Sequence, residues 1–320
     1  MQNLKHIHFI GIGGIGISAL AKMMHHRGVR VSGTNDSESP ETLNELRAKS
    51  VPIQLTVSED VQFPDDIDAF VYSVAWENRV PQVLKAARAT GKPVLSYFSA
   101  LGEVSKEYKT IAISGTHGKT TTTAMTAVAL TAAGLDPTVI VGSLVDFGDK
   151  TRSNFRPGNS EYLVVEACEY KRHFLHFNPY ILAVTNIELD HPDYYKDLAD
   201  VEDAFAELAS QSEIVLAQDS IERYILRVPE LLVPGEHNRK NAALVLAIAD
   251  ALGADLEKIK DALAAYRGSW RRFEYKGTTK HGALVYDDYA HHPTEIRATL
   301  KAAKERHPNG RIIAVFEPHM

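Results

Sequence analysis

Lysine followed by four threonines, at the end of a glycine-broken turn, constrains this chain more than any other feature. The segment Gly115-Thr116-His117-Gly118-Lys119-Thr120-Thr121-Thr122 follows a β-rich apolar run, Thr110–Ile113, and leads into a helical run, Ala124–Ala133. Strand, glycine turn and helix start in that order form a phosphate loop, in which backbone N–H groups and a helix N-terminus point at phosphate oxygens. Lys119 then reaches the β- and γ-phosphates of a nucleotide, and the Thr120 hydroxyl is placed to ligate Mg²⁺. The usual spacing would put a glycine at position 113, where Ile113 stands, so the loop is a variant. A turn that merely caps a helix has no use for such a run of lysine and threonine. ATP with Mg²⁺ is the expected cofactor.

The surroundings of the loop predict an α/β fold. Short apolar runs recur at Ile7–Ile10, Ala69–Tyr72, Tyr162–Glu166, Ile181–Thr185, Leu284–Asp287 and Ile312–Phe316. Amphipathic helical stretches lie between them, at Glu41–Ser50, Val201–Gln211 and Lys240–Leu252. Such alternation argues for parallel sheets covered by helices. Polar breaks near Glu103–Lys109 and Gly268–Phe273 suggest three parts: a Rossmann-like domain over 1–107, a phosphate-loop ATPase-type domain over 108–270, and over 271–320 the start of a third Rossmann-like unit. That last piece holds about one strand–helix–strand unit, too little to bury a core alone.

A second glycine motif, Gly11-Ile12-Gly13-Gly14-Ile15-Gly16, follows the run His8–Ile10 and precedes the helical stretch Ser18–Arg27. With Asp36 at a plausible distance for a ribose contact, it fits a dinucleotide fingerprint. The same geometry serves any diphosphate, and no separate residues suit hydride transfer, so an NAD-dependent dehydrogenase is the weaker reading. In an open parallel sheet, ligands gather at the carboxyl ends of strands. Glu166 and His191 both stand at such ends and, with Thr120, are candidate ligands of one hard cation, although imidazole is less usual for Mg²⁺. Read alone, the first is also an ordinary surface carboxylate and the second a turn residue. Downstream, His237, Asn238 and Asn241 open a helix and suit a nucleobase edge, Arg272 suits a phosphate, and Asp287-Asp288-Tyr289-Ala290-His291-His292-Pro293 packs more chemistry than a helix cap needs.

Composition narrows the class. A formal net charge of −6 argues against a non-specific nucleic-acid binder. The lone cysteine, Cys168, excludes an intrachain disulfide and fits a reducing compartment. No apolar stretch reaches membrane-spanning length and the start lacks a secretory pattern, so a cytoplasmic enzyme with no membrane partner is expected.

Taken together, GIGGIGISALA, GTHGKTTT, EACEYKRHFL, TNIELDH, PGEHNRKNA, RRFE and DDYAHHPTE, in that order along nearly the whole chain, resemble the Mur ligase family, the ATP-dependent amide-forming enzymes of peptidoglycan synthesis. The match looks closest to the branch that joins L-alanine to UDP-N-acetylmuramic acid. The branch that recycles murein tripeptide is a near relative, and a UDP-sugar-binding module without turnover is the non-enzymatic alternative. The resemblance implies that Gly11, Gly13, Gly14 and Gly16, with Asp36 and Ser73, hold the UDP-sugar. It implies that Gly115, Thr116, His117, Gly118, Lys119, Thr120 and Thr121 bind ATP phosphates, with Lys119, Glu166 and His191 catalytic and Thr120, Glu166 and His191 on the metal. His237, Asn238 and Asn241 would sit at the adenine, Arg272 at a phosphate, and Asp288 with Tyr289 at the nucleoside. Family members continue past FEPH with arginines and a further sheet that help bind the amino acid, so residues 1–320 alone are expected to bind UDP-N-acetylmuramic acid but to support little amide formation. Relatives also carry a small β-subdomain where this chain has the short stretch Asp219–Pro234.

Overall fold

Thirteen strands order the chain in a computed structural model that describes residues 1, 4–58, 61–148 and 151–317. The first five, β1 (His6–Ile10), β2 (Arg30–Asn35), β3 (Ile53–Leu55), β4 (Ala69–Tyr72) and β5 (Val94–Ser96), form a parallel sheet in the order β3-β2-β1-β4-β5. The order reverses beside β1, which opens a crevice between the carboxyl ends of β1 and β4. The next six are β6 (Lys109–Ser114), β7 (Thr138–Asp146), β8 (Arg152–Arg156), β9 (Tyr162–Glu166), β10 (Ile181–Val184) and β11 (Ile214–Leu216). They lie in the order β11-β10-β6-β9-β7-β8, all parallel except the β7–β8 pair. The phosphate-loop strand β6 is thus central, flanked by β9 and β10.

The central strands read as continuous apolar runs because both faces are covered. On one face Ala112, Val165 and Leu182 join a core that continues into the first sheet through Ile7, Phe9 and Leu20. On the other, Ile111, Ile113 and Val164 pack against the helices Lys119–Ala132, Glu236–Ala251 and Leu256–Ala265. The helix Lys119–Ala132 is rich in threonine, a modest helix former. Burial of Thr122, Thr123 and Thr126 overrides that preference, and Thr123 Oγ1 returns its proton to the Lys119 carbonyl at 2.8 Å.

A polar lock joins the two sheets. Lys22, 1% exposed, donates to Asn154 Oδ1 of β8 at 2.8 Å and pairs with Glu45 at 2.6 Å. Asn154 donates in turn to Ser18 Oγ at 2.8 Å. Every member of this buried network has a partner, the condition under which such networks fix a unique arrangement.

Several sequence expectations shift. The helix expected over Ser18–Arg27 runs Ile15–His26, and those expected to begin at Glu41, Val201 and Lys240 run Pro40–Ala48, Leu198–Ser210 and Glu236–Ala251. The helix entered from the phosphate loop begins at Lys119 rather than Ala124. Of the strand–helix–strand unit expected after residue 271, the first strand, β13 (Leu284–Asp287), and the helix Pro293–Arg306 are present, and β13 pairs in an antiparallel hairpin with β12 (Glu274–Thr278). The run Ile312–Phe316 is not a strand: it pairs with no neighbour among the described residues, and Val315 is 96% exposed. Residues Pro318 and His319 of the FEPH match lie outside the described residues. The short stretch Asp219–Pro234 is entered through the helix Gln218–Ile225, which packs through Ile221 and Tyr224 onto the central core. No helix among the described residues is long and apolar enough to cross a membrane.

Candidate active site

The phosphate loop leaves β6 at its carboxyl end and enters the helix Lys119–Ala132 through Gly118, whose φ of +84° is left-handed. The loop is pinned from β10: Thr185 Oγ1 donates to the His117 carbonyl at 2.5 Å, and Asn186 Oδ1 accepts from His117 N at 2.9 Å. Gly115 has φ +132°, and a β-carbon there would come within 2.1 Å of Thr185 Oγ1. Gly115→Ala therefore meets both a forbidden backbone region and a clash. We expect it to weaken ATP binding about tenfold or more, a difference of roughly 1.4 kcal/mol. Calorimetric titration with ATP–Mg²⁺ checks this, and unaltered affinity would show that the pinned loop tolerates displacement.

Lys119 Nζ donates to the carbonyls of Gly115, at 2.5 Å, and Thr116, at 3.0 Å, and to Glu169 Oε1, at 2.9 Å, with Glu169 Oε2 in ion-pair contact at 2.8 Å. Burial disfavours the ammonium, but the Glu169 carboxylate outweighs it and holds the lysine above its ordinary range. Glu169 is only 2% exposed; burial would raise its pKa, yet Lys119 and His191 hold it below the usual carboxylate range. His191 Nε2 approaches Glu169 at 3.6 Å, and that carboxylate raises the imidazole pKa against the opposing effect of burial. Glu169 was not singled out from sequence. Its only signal was a second carboxylate three residues past the strand-end Glu166. Its half-buried neighbour Cys168 is pushed up to about 12, by desolvation first and by Glu169 next, so the thiol stays protonated at neutral pH.

Glu166, at the end of β9, accepts from Thr120 Oγ1 at 3.0 Å and from Gly142 N of β7 at 2.9 Å. Arg272 Nη2 reaches the same Thr120 hydroxyl at 3.3 Å across 152 residues of chain. Thr120 and Glu166 thus stand together as expected. His191 is drawn instead to the Lys119–Glu169 pair, and its φ of +56° marks an uncommon conformation for a side chain of its size.

Beyond the loop lies a cavity of about 240 Å³, lined by Gly118, Thr121, His237, Asn238, Asn241 and Arg272 among others. Its size suits one flat heterocycle. His237 stays exposed at the cavity mouth, but the protein atoms packed around its ring displace water and lower its pKa, which keeps the imidazole neutral and able to both donate and accept. Asp288 also lines the cavity, but its carboxylate is occupied, accepting from Phe273 N at 2.7 Å and Ala290 N at 2.9 Å. Tyr289 does not line it. The ring lies instead under Arg271 and Arg272, at 5.1 and 5.5 Å.

At the first sheet, Gly14 is exposed at the start of the helix Ile15–His26, with Ser73 close by at the end of β4. Gly11, Gly13 and Gly16 are needed for packing within the chain: β-carbons there would strike Trp76, Asn35 and Tyr97 at 2.5, 2.6 and 2.9 Å. Asp36 is paired with Arg79 at 2.7 Å, so a ribose would have to displace that arginine.

Comparison with known proteins adds to this geometry. Models described as Mur ligase family, catalytic domain; Mur ligase middle domain; and Mur ligase, glutamate ligase domain match residues 6–109, 113–230 and 271–319. A UDP-N-acetylmuramate–L-alanine ligase of Agathobacter rectalis is 37% identical, covering 98% of this chain and 77% of that protein. Its counterpart from Clostridium kluyveri is 38% identical over 98% of the chain and 78% of its own length. Among solved structures, the UDP-N-acetylmuramate–alanine ligase of Thermotoga maritima superposes with a TM-score of 0.86 at 32% identity, covering 99% of this chain and 81% of the other. A murein peptide ligase of Psychrobacter arcticus gives 0.77 at 26% identity, over 99% and 79%.

Proposed function

Because the chain belongs to the Mur ligase family, we propose that it is the ATP-dependent ligase that joins L-alanine to the carboxylate of UDP-N-acetylmuramic acid in peptidoglycan synthesis. The observation that carries this reading is the meeting of Lys119, Thr120, Glu166 and Arg272 at the carboxyl ends of β6 and β9, in a chain 37% identical to an alanine-adding enzyme almost from end to end. The sugar carboxylate attacks the γ-phosphorus of ATP, ADP leaves, and an acyl phosphate remains. The amine of L-alanine then attacks the acyl carbon, loses a proton and expels phosphate.

In that sequence Lys119 and Arg272 balance charge on the transferring phosphoryl group, where positioning and electrostatics supply most of the catalysis. The residues present fit a divalent cation. The oxygens of Thr120 and Glu166 stand 3.0 Å apart, close to the separation of neighbouring ligands around Mg²⁺. Bound there, Mg²⁺ would neutralise phosphate charge. His191 becomes a further ligand only by leaving Glu169. His237, Asn238 and Asn241 hold the base, and the crevice at Gly14 and Ser73 takes the UDP diphosphate. The division into a sugar domain over 1–107, an ATP domain over 108–270 and an amino-acid domain from 271 follows the same assignment.

A coupled assay of the full-length enzyme with UDP-N-acetylmuramic acid, ATP–Mg²⁺ and single acceptors tests the proposal. L-Alanine should stimulate phosphate release and yield UDP-N-acetylmuramyl-alanine by mass spectrometry. Faster turnover with the tripeptide L-alanyl-γ-D-glutamyl-diaminopimelate would reassign the chain to the recycling branch. Binding of the UDP-sugar with no turnover for any acceptor would leave only a binding module.

A further inference from the structure

A second group of ligand-type side chains lies beside the phosphate loop, apart from Thr120 and Glu166. His117, Glu188 and His292 each offer one ligand atom within 4.8 Å of the others. They come from three separate places: the loop itself, the segment after β10, and the residue that caps the helix Pro293–Arg306. The imidazoles of His117 and His292 lie 4.5 Å apart, centre to centre, and His117 Nε2 stands 3.5 Å from Glu188 Oε2.

The orientation of His117 is what points to a metal. Its Nδ1 lies 3.3 Å from Glu295 Oε1, a carboxylate that favours a proton on that nitrogen. Its Nε2 is buried and has no hydrogen-bond partner. Carboxylate, Nδ1–H and a free Nε2 form the arrangement by which proteins orient an imidazole toward a metal. Glu188 is steadied in the same way, accepting from Thr294 Oγ1 at 2.9 Å. His292 Nδ1 accepts from Thr294 N at 3.3 Å. Two imidazoles and one carboxylate make a borderline-soft donor set that favours Zn²⁺ over Mg²⁺ and leaves a fourth position open. Zinc bonds of roughly 2.0–2.2 Å put tetrahedral ligand atoms about 3.3–3.6 Å apart, so ligand atoms now within 4.8 Å of one another need draw together by little more than about 1 Å.

We propose that His117, Glu188 and His292 form a zinc-class metal site, oriented by Glu295, that ties the segment from Pro293 onward to the phosphate loop. The site is distinct from that proposed for Mg²⁺, and its existence does not depend on which acceptor the enzyme uses. Because His117 lies in the loop, ATP and the ion bear on one another.

Titration of the whole chain with Zn²⁺ by calorimetry, and with Co²⁺ by visible absorption, tests the site. The informative variant is His292→Asn, since asparagine also caps helices and so preserves the start of the helix. Wild type should bind one Zn²⁺ and give the absorption of a four- or five-coordinate cobalt ion. His292→Asn should bind at least tenfold more weakly, and Glu166→Gln within about twofold of wild type. Added Zn²⁺ should raise the melting temperature of wild type and leave that of His292→Asn unmoved. Equal zinc affinity in wild type and His292→Asn, or loss of zinc binding in Glu166→Gln, would overturn the proposal.

Discussion

Phosphate release in the presence of UDP-N-acetylmuramic acid, ATP–Mg²⁺ and L-alanine is expected to fall on the order of 10²-fold or more in Lys119→Ala, as for loss of one preorganised charge-stabilising donor. Binding of the UDP-sugar should stay near wild type, because the crevice at Gly14 and Ser73 belongs to the other sheet. The two readouts together separate chemistry from folding. Lys119 is held before ATP arrives, by Glu169 and by the carbonyls of Gly115 and Thr116. Removing it leaves the Glu169 carboxylate buried with only the more distant His191 for a partner, so the variant should also melt lower. Lys119→Ala enzyme that releases phosphate at the wild-type rate would remove the loop from the mechanism.

The phosphate loop was legible because its signals are local. Glycine, lysine and threonine sit in one short segment, and the strand before it and helix after it follow from adjacent residues. Strands β4, β9 and β13 were legible to the residue for the same reason. What sequence did not disclose depends on distant partners. Asp36 stands where a ribose ligand should, but Arg79, from the helix Trp76–Arg79, claims it. Ile312–Phe316 has a strand's composition, yet it pairs with no strand among the described residues. Glu169 looked like any carboxylate in a turn until the 3₁₀ segment Tyr170–His176 and the fold behind it brought it under Lys119. His191 was read with Glu166, and Glu169 competes for it.

That competition bears on Glu166→Gln, for which we expect the Mg²⁺ requirement of phosphate release to rise by about 10- to 100-fold, the range seen when the support of a metal site is removed. The substitution keeps shape and one oxygen, so the hydrogen bond from Gly142 N or that from Thr120 Oγ1 can persist. What disappears is the negative charge beside Thr120, and with it the ionised oxygen a hard cation prefers. Arg272, which already reaches Thr120 Oγ1, then faces less opposing charge and resists the incoming ion more strongly. At saturating Mg²⁺ much of the rate should return, whereas Lys119→Ala should gain nothing from added metal. His191→Ala offers the contrast: with the imidazole held by Glu169 rather than beside Thr120, the rise in Mg²⁺ requirement should be smaller than for Glu166→Gln. Initial rates measured across a Mg²⁺ series at fixed free ATP decide the order. If His191→Ala proves the more Mg²⁺-dependent of the two, the imidazole leaves Glu169 when nucleotide binds and is a principal ligand. If neither variant shifts the Mg²⁺ dependence, the cation is held elsewhere.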